Sequence, residues 1–481
     1  MRWAIPTHWR WETIGTVAEI VGGGTPPSTD STNFDPRGIP WITPADLSGY
    51  NATYIERGAR SLSAKGYERC GARLMPPSAV LFSSRAPIGY CVIARTAVAT
   101  SQGFKSLVLR EQVLPEFARY YLLASKKFIE SRATGTTFKE ISGRAMAGIP
   151  FPLAPIAEQR RIVQRVDEFL SAVEASAASL LRAKANAKRA RASVLKAAVE
   201  GRLVPTEAEL AAAEGSEYEP ADVLLERILS ERQETRVVHD RSRSARVREI
   251  IPDALPVPAG WTTATFDQLT IGGFTNGLYA HKSLYGRGTP IVRIDDFQDW
   301  KSRSANELRQ VDIDQETAQK YSLAPGQLVI NRVNSLTHLG KCLAVEPRHV
   351  PAVFESNMMR AEITPLCRVS YLAAWLRSRP GRAELTQNAK WAVNQASINQ
   401  SDVASTRIPL PPLAEQDRIV SELARRTSVL DSIEATIDAN FARCEQLRQS
   451  ILKRAFEGRL LEPDAPERND VTTDPDSKDA A

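Results

Sequence analysis

At 481 residues the chain is too long for one ordinary hydrophobic core, so its length predicts two to four domains. The hydrophobic content of 43% and the charged content of 25% are typical of a soluble globular protein, and no apolar run approaches the roughly 20 residues of a membrane span. The N-terminus does not resemble a signal peptide, and the five scattered cysteines indicate neither a disulfide framework nor a structural zinc site. We therefore expect a cytoplasmic protein without membrane contact and with buried free thiols.

The net charge of +6 is unevenly distributed along the chain. Residues 462–481 hold seven acidic and two basic side chains. Without this tail the chain carries about +11, and a basic body favours an anionic partner such as nucleic acid.

The first predicted element is a mixed α/β module at residues 1–151. An alternating apolar run ends at Arg85, and the Pro87 and Gly89 that follow place Arg85 at the end of a strand. Residues 100–105 are predicted to form a polar turn before another strand, and residues 135–141 a loop rich in hydroxyl groups.

The second element is a long helix at residues 152–204. Pro152 and Pro155 mark its start and Gly201 its end, and the roughly 44 residues between these signals would extend roughly 65 Å if fully helical. Apolar side chains recur every seven residues, at Val166, Val173, Leu180, Ala187 and Val194. Residues 182–202 carry seven basic side chains and one acidic side chain, which fits DNA phosphates, a partner subunit or a solvated helix face.

A charged linker at residues 205–250 is the third element. Residues 221–232 within it show the pattern of a short amphipathic helix. Residues 236–248 are polar and basic, and we expect them to be mobile.

The fourth element, residues 251–408, is a second module that loosely repeats the first. Pro6-Thr-His-Trp9 resembles Pro258-Ala-Gly-Trp261, and Leu81-Phe-Ser-Ser-Arg85 resembles Leu328-Val-Ile-Asn-Arg332. The second alignment matches Arg85 with Arg332.

The chain is predicted to end with a second long helix, residues 409–463, and an acidic disordered tail, residues 464–481. Pro152-Leu-Ala-Pro-Ile-Ala-Glu-Gln-Arg-Arg-Ile-Val163 returns 257 residues later as Pro409-Leu-Pro-Pro-Leu-Ala-Glu-Gln-Asp-Arg-Ile-Val420. Ser193-Val-Leu-Lys-Ala-Ala-Val-Glu-Gly-Arg-Leu203 returns at the same offset as Ser450-Ile-Leu-Lys-Arg-Ala-Phe-Glu-Gly-Arg-Leu460. The seven-residue stripe is repeated as Leu423, Leu430, Ile437, Cys444 and Ile451.

These patterns predict an α/β (α+β) fold with a pseudo-twofold internal repeat. Equal spacing of the two matches means that the helices have the same length, which is typical of a rigid spacer. Ser176 and Ala190 are small where Ile433 and Leu447 are large, and this difference favours pairing of the two helices with each other in a coiled coil. The alternative is two independent amphipathic helices on separate cores. The modules have diverged more than the helices, which indicates that they bind different things.

Sequence motifs for catalysis are not found. There is no phosphate-binding loop of the Gly-x-x-x-x-Gly-Lys-Ser/Thr type, no dinucleotide fingerprint and no Asn/Asp-Pro-Pro-aromatic motif of adenine methyltransferases. Five histidines stand singly, and the Asp295-Asp296 pair lacks the Glu-x-Lys that a nuclease metal site would add. We predict no catalytic residue, no metal site and no cofactor in this chain.

The duplicated helix start and the Glu-Gly-Arg-Leu at each helix end resemble the specificity subunit of type I restriction–modification systems, and the resemblance covers roughly residues 5–463. It implies two target recognition domains separated by two long antiparallel helices, each domain binding one half of a bipartite site in double-stranded DNA. It also implies two modification (methyltransferase) subunits bound to the helices, with S-adenosylmethionine on those subunits. ATP-dependent restriction subunits, which use ATP with Mg, are an optional further partner.

Bases are recognised by polar side chains that reach their edges, so we select polar side chains near strand ends and loops. The DNA-binding candidates are Ser84, Arg85, Gln102, Lys105, Thr136, Thr137 and Lys139 in the first module, and Asn331, Arg332, Asn334, Asn357, Lys390, Asn394 and Gln395 in the second. The candidates for subunit docking are Glu158, Gln159, Ile162, Glu415, Gln416 and Ile419.

Two other functions are compatible with the sequence. A stand-alone sequence-specific DNA-binding regulator would bind tightly without partners. A coiled-coil scaffold without a DNA role would leave the basic balance and the polar loops of the modules unexplained.

Overall fold

The structure is a computed structural model that describes residues 3–85, 87–135, 139–239, 255–298, 300–335, 338–392 and 395–461. The chain divides into two compact units, which we call unit one (Met1–Arg182 and Asp438–Ala481) and unit two (Ala183–Ile437). The predicted acidic tail and residues 240–254 of the linker region lie outside the described residues.

Unit one contains the first module, and its regular elements are short strands and short helices that lead to the first long helix, which continues into unit two from residue 183. In chain order they are β1 (Arg10–Thr13), α1 (Ile14–Val17), β2 (Ala18–Gly22), β3 (Phe34–Ile42), β4 (Tyr54–Ile55), β5 (Arg60–Leu62), α2 (Ala64–Cys70), β6 (Val80–Phe82), β7 (Cys91–Ala94), β8 (Ala99–Thr100), β9 (Lys105–Leu109), α3 (Pro115–Ala124), α4 (Lys126–Ser131), α5 (Gly143–Ala147), β10 (Pro150–Leu153) and α6 (Ile156–Val199), with 3-10 turns at Ser31–Asn33 and Pro44–Leu47.

The centre of unit one is a sheet in the order β2-β9-β6-β7-β4. Its pairs are antiparallel except β4 with β7. Val80 and Phe82 on β6 face a core with Phe117 of α3, while Leu81 between them faces a second core. Because side chains alternate between the faces of a strand, β6 is buried on both sides. A smaller sheet, β5-β3-β8, lies beside this centre in the same unit.

Unit two contains the second module, and its elements follow a similar succession up to the second long helix, which continues into unit one from residue 438. They are α7 (Glu207–Glu214), α8 (Ala221–His239), β11 (Thr262–Thr265), β12 (Thr270–Asn276), β13 (Tyr285–Val292), β14 (Phe297–Gln298), β15 (Lys301–Ser302), β16 (Gln310–Val311), α9 (Gln315–Lys320), β17 (Gln327–Asn331), β18 (Val333–Asn334), β19 (Cys342–Ala344), β20 (Val353–Phe354), β21 (Met358–Ile363), α10 (Val369–Arg377), α11 (Arg379–Thr386), β22 (Lys390–Ala392), β23 (Gln395–Ser397), α12 (Gln400–Ala404), β24 (Arg407–Leu410) and α13 (Leu413–Phe456), with 3-10 turns at Asp267–Leu269, Lys282–Leu284, Ile294–Asp296, Ala305–Glu307 and Pro347–His349.

The main sheet of unit two has the order β12-β21-β17-β19, and its central strand β17 corresponds to β6. Leu328 and Ile330 face a core with Tyr371 of α10, and Val329 faces a second core. Two further sheets, β16-β13-β20 and β18-β23-β22, complete the module with the pairs β11-β24 and β14-β15. The predicted fold class, two mixed α/β domains with two long helices, is confirmed.

The long helices begin and end inside the predicted segments. The helix α6 starts at Ile156 rather than at residue 152, because Pro152 belongs to β10, which pairs with β1. At their ends Gly201 and Gly458 adopt positive φ angles of 66° and 68°, a conformation that favours glycine. A Cβ atom on Gly201 would collide with Pro258 in unit two, and one on Gly458 with Pro6 in unit one, so each helix end is fitted to the N-terminal segment of a module.

Each unit contains one half of α6 packed against one half of α13. In unit one, Ile162 and Val166 share a core with Leu452 and Phe456, and the Arg448 guanidinium lies 3.4 Å from the Glu174 carboxylate.

The same pairing occurs in unit two. Leu195 and Val199 share a core with Leu423, and the Arg191 guanidinium lies 2.7 Å from Asp431 and 3.4 Å from Glu434. Residue numbers rise along one helix as they fall along the other in both units, so the helices are antiparallel. The seven-residue stripe lies in the contact: Val166, Ala187, Leu423, Leu430 and Ile437 are at most 9% exposed.

The linker is more ordered than its composition suggests. The helix α8 starts at Ala221 as predicted but continues to His239, and α7 precedes it with a Thr206 cap. Leu224 and Ile228 are buried in the core of unit two. Among the residues that the structure describes, no helix combines the length and the hydropathy needed to cross a membrane.

Candidate nucleic-acid interface

The candidate side chains of the first module converge just beyond the C-terminal end of β6. Arg85 Nη1 lies 3.7 Å from Glu140 Oε2, and Arg85 Nη2 lies 3.4 Å from Gln102 Oε1. Lys105 Nζ donates a hydrogen bond of 3.1 Å to Glu140 Oε1. A backbone bridge between Arg85 and Glu140 holds this arrangement together. Two predicted residues, Arg85 and Lys105, therefore contact the Glu140 carboxylate, and a third, Gln102, contacts Arg85.

Glu140 was not among the predicted residues. It is the one acidic residue in the 135–141 loop, and that was the signal available in the sequence. A carboxylate can accept a hydrogen bond from the exocyclic amine of cytosine, and it also fixes the direction of neighbouring guanidinium and ammonium groups.

The predicted residues of the first module differ in accessibility. Gln102 and Lys139 are exposed. The Arg85 side chain is 38% exposed and that of Lys105 only 16%, because Lys105 is covered where it contacts Glu140. Gln102, Lys139 and Arg85 are thus the accessible members of this set.

Ser84 is fully buried and acts through its backbone. Its N–H donates to the Gly103 carbonyl at 2.7 Å, and its carbonyl accepts from the Ile141 N–H at 3.1 Å. It therefore joins two loops at the strand end. Thr136 and Thr137 lie outside the described residues.

In the second module the small sheet β18-β23-β22 collects several candidates. Asn334 pairs with Ala396, and Lys390 pairs with Ser397. Lys390 and Gln395 are exposed, and Asn334 is half-buried. Asn394 lies outside the described residues.

The remaining candidates of the second module lie beside this sheet. The Arg332 N–H donates to the Asn357 carbonyl at 2.8 Å, and Arg332 Nε donates to the Ser356 carbonyl at 3.3 Å. Asn357 is exposed. Asn331 is fully buried, and its Nδ2 donates to the His338 carbonyl at 2.8 Å, so its side chain holds a loop.

The hydrogen bonds correct the alignment of Arg85 with Arg332. In unit two, the Arg332 N–H donates to Asn357 and its carbonyl accepts from Ile398, which are the two bonds that Ser84 makes in unit one. Arg332 therefore occupies the position of Ser84, and Val333 that of Arg85. The sequence alignment was displaced by one residue because both strands are apolar on both faces, so that alternation does not define their register.

The repeated Glu-Gln pair at the start of each long helix attaches the helix to its module. In unit one, the Trp9 indole N–H donates to Glu158 at 3.0 Å, and His8 lies 2.8 Å from the same oxygen. In unit two, the Trp261 indole N–H donates to Glu415 at 2.8 Å, and the Glu207 N–H donates to its other oxygen.

The glutamines make equivalent bonds. Gln159 Oε1 accepts from the N–H of Leu114, the residue before α3, while its amide donates to the Ala154 carbonyl. Gln416 Oε1 accepts from the N–H of Arg368, the residue before α10, while its amide donates to Pro411. In each unit one side chain links a module helix to the start of a long helix.

These contacts bear on the six docking candidates. Gln159, Ile162, Glu415, Gln416 and Ile419 are at most 1% exposed, and the Glu158 side chain is 15% exposed. Their contacts lie within their own units, so their function in this structure is to attach the modules.

Burial affects the titration of one of these carboxyl groups. Desolvation raises the pKa of Glu415 above its usual range, although the hydrogen bonds from Glu207 and Trp261 oppose the shift. Glu415 is therefore a buried hydrogen-bond acceptor that holds the start of the long helix to Trp261 and Glu207 within unit two.

Asp296, from the Asp295-Asp296 pair, makes structural contacts within its own module. Asp296 accepts a hydrogen bond from the Arg293 N–H and pairs with Arg303 at 3.0 Å. Within the described ranges, no group of three or more His, Cys, Asp or Glu side chains could hold a metal ion. The five cysteines are free thiols; Cys91, Cys342 and Cys367 are buried as predicted, whereas Cys70 and Cys444 are only half-buried. Burial raises the pKa of Cys91 and Cys367 to about 12.

The fold and the paired sites define a protein built from two related modules, each attached to both of two long helices. A comparison with family models finds a match to the type I restriction modification DNA specificity domain at residues 6–181 and again at residues 276–440. The chain belongs to this family of specificity subunits.

Several curated relatives are similar to the chain. The MjaIX specificity subunit of Methanocaldococcus jannaschii is 35% identical over 173 residues, which are 35% of this chain and 40% of that subunit. The match to the EcoKI specificity subunit of Escherichia coli covers 62% of that subunit. The StySPI specificity subunit of Salmonella potsdam is 23% identical over 95% of this chain and 90% of its own length.

A solved structure has the same fold. A chain from the structure of complex assembly and conformational transition of the type I R-M system superposes with a TM-score of 0.62 at 17% identity, covering 95% of this chain and 100% of that chain.

Proposed function

We propose that this chain is the non-catalytic DNA specificity subunit of a type I restriction–modification enzyme. Residues 1–151 and 251–408 each bind one half of a bipartite target in double-stranded DNA, and the long helices set the spacing between the halves. The observation that carries this proposal is a contrast: the attachments through Glu158-Gln159 and Glu415-Gln416 are the same in both units, whereas the side chains at the matched strand ends differ.

The differing side chains would give each module its own sequence preference. Where the first module has the accessible Arg85, the second has Val333, and Arg332 takes the place of the buried Ser84. Hydrogen bonds to base edges distinguish the four base pairs in the major groove, so a change of donor at a matched position changes the preferred base.

The catalytic partners follow from membership in the family. Two modification subunits would bring S-adenosylmethionine, and restriction subunits, where they join, would bring ATP with Mg. For docking, the exposed helix side chains fit better than the six buried candidates. Leu447 is 46% exposed in unit one, and Val429 and Ile433 are 52% and 43% exposed in unit two. Apolar side chains exposed on a helix favour a protein partner.

The test is methyl transfer by the chain with and without the modification subunit. The chain alone with S-adenosylmethionine should transfer no methyl group. The assembled complex should methylate adenines at one bipartite sequence, identified by mapping methylation across a genome with and without this chain. Methylation by the chain alone, or methylated sites without a two-part sequence, would contradict the proposal.

A gel shift of the isolated chain distinguishes the stand-alone regulator. Tight, sequence-specific binding that the modification subunit does not change would favour that function, for which the comparisons provide no support.

A further inference from the structure

Two aromatic side chains of the second module are the most exposed large hydrophobic residues among those described. Tyr279 is 81% exposed and Trp391 is 68% exposed. An aromatic ring gains much from burial, so two rings left in water on one module indicate a surface that is covered in a complex.

Tyr279 follows a turn that is fixed to the segment carrying Asn357. The Gly277 N–H donates to the Met358 carbonyl at 3.0 Å, and the Leu278 N–H donates to the Phe354 carbonyl at 2.8 Å. Leu278 is only 9% exposed and anchors the turn in a small core. The backbone therefore presents the Tyr279 ring from a defined position.

Trp391 lies in the small sheet that carries the other candidates. It pairs with Ala396 across β22 and β23, and Ala396 pairs with Asn334 on β18. The preceding residue on β22, Lys390, is also exposed and adds a positive charge to the same strand. Both aromatic residues are thus hydrogen-bonded, through their strands and turns, to the segments that carry Arg332, Asn334 and Asn357.

The first module differs at the position of Tyr279. There the Gly24 N–H donates to the Thr100 carbonyl, as the Leu278 N–H donates to Phe354, so Thr25 occupies the place of Tyr279. The Thr25 hydroxyl accepts a hydrogen bond from the Gln102 N–H at 3.1 Å. In the first module this position holds a short polar side chain that is hydrogen-bonded within the module. In the second module it holds an exposed aromatic ring.

We infer that Tyr279 and Trp391 contact the bases of the second half-site and contribute to its recognition. This inference rests on the proposed function. The ligand is double-stranded DNA, because the segments that hold the rings also carry the cationic Lys390 and Arg332 and the proposed DNA-binding residues Asn334 and Asn357. Aromatic rings gain little from phosphates but bind the thymine methyl group and the faces of bases, so their contribution depends on sequence and not on salt.

The experiment uses the complex of the full chain with its modification subunits. The affinity of the complex is measured for a duplex that carries the target sequence, as identified by mapping methylation, and for a duplex in which only the second half-site is replaced. Both affinities are measured over a series of salt concentrations. Tyr279→Ala and Trp391→Ala should each weaken binding to the target about tenfold, as expected for the loss of one good base contact. Neither change should alter binding to the replaced duplex or the slope of log K against log salt.

Three controls separate the contributions. Lys390→Gln should lower the salt slope by about one and weaken both duplexes equally, as for a phosphate contact. Tyr279→Phe keeps the ring and should retain most of the affinity. Val223→Ala changes a side chain that is 47% exposed on α8 of the same unit and should have no effect.

Alanine variants that bind the target as tightly as the wild type, or that lose affinity equally on both duplexes, would overturn the inference. A wild-type complex that does not prefer the target over the replaced duplex would instead overturn the proposed function, and the inference with it.

Discussion

One glutamine in the first turn of each long helix, Gln159 or Gln416, links the start of that helix to a module helix and to the chain segment just before the long helix. Gln416 is fully buried, and both ends of its amide are occupied by backbone groups, the N–H of Arg368 and the carbonyl of Pro411. A buried backbone group that loses its partner costs more than an average hydrogen bond contributes.

Gln416→Ala should therefore lower the free energy of unfolding of the chain by about 1–3 kcal/mol. The measurement is urea denaturation followed by circular dichroism. Gln449→Ala is the matched control, because Gln449 is exposed on the same helix and bonds only at its surface to Glu445. Equal losses in the two variants would show that the buried bonds are not responsible.

The buried imidazole of His349 predicts a dependence of stability on pH. Desolvation lowers the pKa of His349 from its usual 6.5, and its Nδ1 accepts a hydrogen bond from the Glu346 N–H at 2.9 Å. Because the unfolded chain takes up this proton more readily than the folded chain, the contribution is complete above pH 6.5 and is lost as the pH falls toward the lowered pKa.

Urea midpoints of the wild type should fall between pH 7.5 and pH 5.5 by more than those of His349→Gln. His281 is a matched control, because it is exposed, and His281→Gln should keep the wild-type pH dependence. If His349→Gln also keeps it, another group is titrating.

At the scale of the elements, the seven-residue stripe identifies the side chains that hold the long helices together. Leu430 is 9% exposed in the helix contact of unit two, while the adjacent Val429 is 52% exposed. Neighbouring positions on one helix thus have opposite environments, as the helical period requires.

Leu430→Ala should cost about 2–4 kcal/mol of unfolding free energy, the range for a large-to-small change in a core. Val429→Ala should change it by less than about 0.5 kcal/mol, as is usual for surface substitutions. Both are measured by guanidinium denaturation followed at the helical ellipticity. Similar small effects at both positions would mean that the helices do not depend on each other.

The strands show where local patterns are insufficient. The heptads and the helix-ending glycines located α6 and α13, since these signals repeat along one element, although each helix starts four residues later than predicted and ends five or seven residues earlier. The alignment of β6 with β17 was wrong by one residue, since fully buried strands lack the alternation that would define it.

At the scale of the whole molecule, the equivalent attachments predict that the modules are interchangeable. A second copy of residues 251–408 in place of residues 1–151 would bring Trp261 to Glu158 and the Arg368 N–H to Gln159, the same bonds that the first module makes. The hybrid chain should therefore fold and assemble.

Cells that contain the hybrid and the modification subunit should methylate sites that carry the second half-site twice. A genome-wide methylation map, compared with that of the wild-type chain, tests this. Sites that still contain the first half-site would show that residues 1–151 do not determine it.

The sequence by itself determined the duplication, the long helices, the family and the absence of catalytic motifs, because repeats, heptads and motifs are properties of neighbouring residues. Only the tertiary structure decided that Glu158 and Gln159 attach a module, that Arg85 and Lys105 meet at Glu140, and that Tyr279 lies exposed where the first module has Thr25. These relations join residues tens of positions apart, and the chain must fold before charge, burial and hydrogen bonds bring them together.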